Sequence, residues 1–148
     1  MRSRLPDVEA DLAVERALSL AICGIGGRLR RAPGSLTEAL ERTAYEYDER
    51  SARRLERFAD VPDGSVVWTR DPDGLFRRGV LAGAWHYDPS PAAYAADLVH
   101  VRDCRWDPDP RGEHQVPAPV AATYRRGGRN FQRIRAIPAV GGPAAGTA

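Results

Sequence analysis

Ser65-Val66-Val67-Trp68-Thr69-Arg70, Asp71-Pro72-Asp73-Gly74 and Leu75-Phe76-Arg77-Arg78-Gly79-Val80-Leu81-Ala82-Gly83 are three adjoining stretches that decide how this chain is read. The first and third are short runs rich in β-branched and aromatic residues. Between them lies a four-residue turn signal, with proline to set one backbone angle and glycine to accept a positive one. That combination predicts a β-hairpin. Gly79, inside the second strand, marks a bulge or the close approach of another backbone. Ala84–Tyr87 either continues that strand or begins a third.

Moving toward the C-terminus, residues 88–96 read as a loop, with room for one helical turn after Pro91. Residues 97–106 alternate as a strand, with Val99 and Val101 on one face and Leu98, His100, Arg102 and Cys104 on the other. Residues 107–112 are a loop. Residues 117–125 suit a short helix, with Pro119 in its first turn and Gly127-Gly128 closing it. Asn130–Ile137 reads as a last strand. The tail 138–148 is Pro, Gly and Ala and is expected to be disordered.

Toward the N-terminus, Ser35-Leu36-Thr37-Glu38 has the form of a capping box. Apolar residues then keep one face as far as Phe58, as one long helix or as two with a break capped by Asp48. Residues 7–31 show helical spacing through Val8, Leu12, Val14, Leu18, Ile22 and Ile25, weakened by Gly24, Gly26 and Gly27. The order is helices, then several short strands with a late small helix. This predicts an α+β fold: a helical N-terminal segment over 1–59, a partly closed β-barrel over 60–137, and the tail.

The chain has 148 residues, which suits one domain or a helical segment plus a small domain, and its 43% hydrophobic and 28% charged residues are ordinary for a soluble globular protein. No apolar run reaches the length of a membrane span, and the start does not read as a signal peptide, so cytoplasmic residence without membrane contact is expected. Cys23 and Cys104 lie in no metal or redox spacing and read as idle thiols. All 22 basic residues are arginine, and the net charge is only +2, so any basic surface must be local. Residues 120–137 supply one: Arg125, Arg126, Arg129, Arg133 and Arg135 with no acid among them.

Enzyme signatures are missing. No GxSxG, HExxH or CxxC occurs, no GxGxxG follows a predicted strand, and the acid pairs sit beside prolines in turns. No catalytic residue, metal or cofactor is expected. The aromatics are more informative. Trp68, Trp85 and Tyr87 fall on predicted strands and could form one concavity able to stack a planar base, or they could be barrel core. Around Tyr124–Arg133, arginines able to grip phosphate accompany glycines and Asn130, which could reach a base edge. A capped helix end with a solvated arginine surface explains the same glycines.

Residues 60–137 also resemble the PUA-like, EVE-related β-barrels attached to Mrr-like restriction endonucleases. The pattern is carried by the hairpin, by Gly79-Val80-Leu81-Ala82-Gly83-Ala84-Trp85-His86-Tyr87, by His100-Val101-Arg102-Asp103-Cys104-Arg105-Trp106, and by the small helix and final strand. The turn departs from the pattern, being Asp63-Gly64 rather than Gly-Asp. The resemblance implies a reader of DNA or RNA that holds a modified or flipped base, with Trp68, Trp85 and Tyr87 at the pocket. Arg102, Arg125, Arg126, Arg129 and Arg133 would then hold the backbone. The competing expectation is a protein-interaction module that dimerises or docks a partner through helices 7–58.

Overall fold

The computed structural model describes residues 5, 7–9, 11–127 and 133–134. Its elements are α1 Leu12–Leu20, β1 Ile22–Ile25, α2 Leu36–Glu46, α3 Glu49–Asp60, β2 Val66–Arg70, β3 Phe76–Leu81, β4 His86–Tyr87, α4 Pro91–Ala96, β5 His100–Trp106, a 3-10 turn Glu113–Gln115 and α5 Ala118–Arg125. The fold is α+β, and the antiparallel sheet curls into a half-barrel. Strand order is β1-β5-β3-β2, with β4 also paired to β5. The strand expected at Asn130–Ile137 and the tail 138–148 lie outside the described residues, apart from Arg133 and Ile134.

The hairpin forms where its turn residues placed it. Gly74 takes φ +83, and Asp71 Oδ1 accepts from the Leu75 amide at 2.9 Å. The register Arg70↔Phe76, Trp68↔Arg78, Val66↔Val80 follows from that turn. Gly79 is a close approach: a Cβ there would lie 2.6 Å from Cys104 Sγ and 2.7 Å from the Trp106 ring. After Leu81 the chain leaves the ladder briefly and returns as β4, at His86↔Val101.

The helical run breaks at Tyr47 and Asp48, giving α2 and α3 as a hairpin. Ser35 Oγ accepts from the Glu38 amide at 3.1 Å, and Asp48 Oδ1 accepts from the Ser51 amide at 2.7 Å, so each helix has a side-chain cap. Ala39, Leu55 and Phe58 from this hairpin pack on Ile25, with Trp85 against the same cluster. A second cluster joins Ala13 and Ala17 of α1 to Ile22, Ala96, Leu98 and Val101.

One element departs from expectation. The helix read over 7–31 ends at Leu20, and Ile22–Ile25 is a strand paired antiparallel to β5. Ala21 turns the chain at φ 54, in the left-handed region. Ile22 and Ile25 have helical spacing, but three residues along a strand point to opposite faces. They serve the two different clusters. Gly24 is required by the pairing, because a Cβ would sit 2.5 Å from the His100 carbonyl oxygen. The sheet therefore draws on residues from both sides of position 60.

Candidate nucleic-acid interface

Directly paired residues in a sheet share a face. Counted through the register, Trp68, Arg78, Val80 and Arg105 fall on one face, and Tyr87 and His100 on the other. The three rings expected around one concavity are thus not brought together.

Trp85 and Tyr87 engage the protein's own interior. The Trp85 ring lies 6.1 Å from the His100 ring at an interplanar angle of 28°, and its Nε1–H donates to His100 Nδ1 at 3.2 Å. That bond fixes the tautomer: Nε2 carries the proton and faces the Gly27 carbonyl at 3.3 Å. Burial holds His100 down at a pKa of about 4, so it is neutral at physiological pH. The Tyr87 hydroxyl accepts from the Leu29 amide at 3.0 Å and pairs with the Tyr94 hydroxyl at 2.6 Å, while Tyr94 donates to the Leu29 carbonyl. Asp97 Oδ1 accepts from both the Gly27 and Arg28 amides at 3.0 Å. These groups fasten residues 27–29 to the barrel.

Arg102 is a correction to the expected phosphate contacts. It is 2% exposed. Nε donates to the Gly83 carbonyl at 2.7 Å, NH1 to the Phe58 and Val61 carbonyls, and NH2 to Asp63 at 2.8 Å. Every edge of its fork is taken up in joining the end of α3 to the sheet, so no phosphate can reach it.

Trp68 has different surroundings. It is half-buried, and the Arg111 guanidinium lies over its ring, 5.5 Å from the centroid. Its Nε1 is shut from solvent and has no hydrogen-bond partner among the described residues. Arg78 stands opposite it in the ladder, and Arg111 NH2 meets Asp107 Oδ2 at 2.8 Å. Arg105, paired with Val80, is exposed on the same face. The α5 residue Tyr124 donates from its hydroxyl to the Trp68 carbonyl at 3.0 Å, which places the end of α5 beside this face. Arg125 and Arg126 follow directly and are exposed, as is Arg133. Arg125 meets Glu113 at 2.9 Å, with 68% and 49% of the two side chains exposed, so that pair is weak and open to competition. Arg129 and Asn130 lie outside the described residues.

Sequence reasoning missed Arg78, Arg105, Arg111 and Asp107. The signal for Arg78 was present, because the hairpin turn fixes it opposite Trp68. Arg111 had no such signal. It arrives through an isolated bridge, Phe76↔Arg111, at the end of an irregular loop.

Among the described residues no group of three metal-ligating side chains occurs, and no helix is long and apolar enough to cross a membrane. Cys23 and Cys104 are free thiols, pushed up by burial to about 11 and about 12. Neither is a thiolate at neutral pH. Protein-family models, curated proteins and solved structures give no match to this chain.

Proposed function

We propose that this chain is a nucleic-acid-binding module of the PUA-like kind, in a bacterial defence or nucleic-acid-processing setting in the cytoplasm. Its contact surface is the sheet face around Trp68. The observation that carries this reading is the pairing of Trp68 with Arg111, flanked by Arg78 and the exposed arginines at the end of α5. An indole with a guanidinium over its ring offers a site where an unpaired base can stack, while the neighbouring arginines take the phosphates. A flipped or modified base, which the PUA-like resemblance implies, would enter at Trp85 and Tyr87 only by displacing Trp85 from His100. An unpaired strand at Trp68 is the ligand that needs no rearrangement of the interior.

The test is fluorescence anisotropy with labelled single-stranded DNA and RNA over a salt series. Affinity is expected to fall steeply with salt. Trp68→Ala should weaken binding by about 1–3 kcal/mol, the usual worth of one stacked base, while Trp68→Phe keeps most of it. The phenylalanine variant also removes a buried N–H that lacks an acceptor, so it should fold at least as stably. Absence of binding at low salt, or a Trp68→Ala protein that binds like wild type, overturns the reading.

A second reading rests on a separate observation. Leu20 is 51% exposed beside a shallow apolar groove formed by Leu12 of α1 with Ala92 and Ala95 of α4, and Tyr45 on α2 is 89% exposed. These would anchor a partner or a second copy on the helical segment. On this reading, sedimentation would give a dimer that Leu20→Arg dissociates; a monomer at all concentrations rejects the self-association form.

A further inference from the structure

Resting on the nucleic-acid reading, we propose that Arg78 and Arg111 form a two-arginine cradle for one backbone phosphate, and that Asp107 fills this cradle as a built-in anion in the free protein. Both guanidiniums converge on the same carboxylate oxygen. Arg111 NH2 lies 2.8 Å and Arg78 NH1 3.7 Å from Asp107 Oδ2. Two cations therefore share one anion, and a unit of positive charge is left over. All three side chains are about one-third exposed, so a ligand can reach them.

The cradle is held by backbone rather than by long side chains alone. The Arg111 amide donates to the Phe76 carbonyl at 2.9 Å, and the Phe76 amide donates to the Arg111 carbonyl at 2.8 Å. The Asp107 amide donates to the Arg78 carbonyl at 2.7 Å. Arg78 is two residues from Phe76 on the same strand, so both guanidiniums spring from one rigid patch of sheet. Such preorganisation lowers the ordering cost of binding.

The chemistry favours exchange. A part-exposed ion pair contributes little, so removing the Asp107 carboxylate from the cradle is cheap. A phosphate carries several acceptor oxygens and can take charge-assisted bonds from both guanidiniums at once. The Arg111 guanidinium carbon lies over the Trp68 ring, 5.5 Å from its centroid, so a phosphate seated on Arg111 leaves the attached base close to the indole. Asp107 thereby weakens loose attachment to any anion and reserves the cradle for a ligand that also stacks.

This arrangement changes the salt dependence in a specific way. Where an internal carboxylate neutralises the arginines, phosphate binding releases fewer condensed counterions. Taking the carboxylate away restores that release.

The experiment compares wild type, Asp107→Asn, Asp109→Asn and the double variant Arg78→Ala/Arg111→Ala. The probe is a short fluorescein-labelled single-stranded oligonucleotide. Asp109 is an exposed acid two residues along and serves as the charge-matched control. Asp107→Asn is expected to tighten binding about tenfold at about 50 mM salt and to steepen the log–log salt slope by about 0.7. Asp109→Asn should change affinity by no more than about twofold, by long-range charge alone. The double variant should weaken binding. Urea denaturation checks that each variant is folded, and the Asp107 amide bond survives in the asparagine. If wild type binds and Asp107→Asn matches wild type or Asp109→Asn in both affinity and slope, the built-in anion is rejected and the nucleic-acid reading stands. If neither wild type nor Asp107→Asn binds, the nucleic-acid reading fails with it.

Discussion

Replacing Arg102 with methionine is expected to cost about 3–5 kcal/mol of folding stability, the loss seen when one partner of a buried charged network is removed. Small domains hold only about 5–15 kcal/mol in total, so much of the protein would be lost from the soluble fraction. The reason is the number of groups left behind. Methionine fills the volume, but the Phe58 carbonyl loses a donor in a buried setting and the Val61 and Gly83 carbonyls lose one in a partly buried setting. Asp63 is a minor part of this, because its side chain is 65% exposed and can return to water. Asp63→Asn should therefore cost less than about 1 kcal/mol. Arg102→Lys should fall between, since a single ammonium cannot reach acceptors that surround a planar fork. Urea midpoints of the three variants check the order. An Asp63→Asn protein as unstable as Arg102→Met would show that the ion pair, and not the carbonyl network, holds α3 to the sheet.

The second large effect is on stability against pH. Unfolded, His100 takes a proton near its ordinary value of 6.5; folded, it resists until about 4 because it is buried. Asp97 nearby opposes that depression, and Arg54 reinforces it. Between these two pH values the unfolded chain binds more protons than the native one, so stability falls as pH falls through the window. Each unit is worth about 1.4 kcal/mol, giving a loss of about 3 kcal/mol that is complete near pH 4. The carboxylates of Asp48 and Asp88, held low by the Ser51 amide in one case and by Ser90 and Arg16 in the other, act only below their unfolded value of 3.8. The two ranges are therefore separable. Protonation of the folded protein near pH 4 would also remove the acceptor from the Trp85 indole, so the native tryptophan fluorescence should hold steady through the window and shift only as pH falls through about 4. His100→Gln, which cannot titrate, should flatten the dependence above pH 4. A wild-type stability that stays level between about pH 6.5 and pH 4 overturns this account.

The hairpin was legible because its information is local: a turn signal fixes the register, and the register fixes which residues face each other. The caps of α2 and α3 were legible for the same reason, since Ser35 and Asp48 act on amides three residues away. What escaped was non-local. The spacing of Leu18, Ile22 and Ile25 fits a helix, and only the presence of β5 alongside makes a strand of the last two. Arg102 on an alternating strand looks the same whether it faces solvent or two carbonyls from a distant helix end and one from just after β3. Trp85 and Tyr87 share a face, as their spacing required, but spacing cannot say that His100, Leu29 and Tyr94 wait on that face with matching polar atoms. The arginines of the Trp68 face were half legible: Arg78 through the turn, Arg111 not at all.

The position of β1 has a consequence for biosynthesis. Ile25 leaves the ribosome about 75 residues before its partner His100, so at ordinary translation rates this segment waits several seconds with nothing to pair with. During that interval Ile22-Cys23-Gly24-Ile25 is a short apolar strand with both edges bare. Its shortness and its central glycine keep it a poor template for aggregation, while the self-capped α2–α3 hairpin can form beside it. Completion of the sheet then waits on the emergence of β5, after α2 and α3 have already been made.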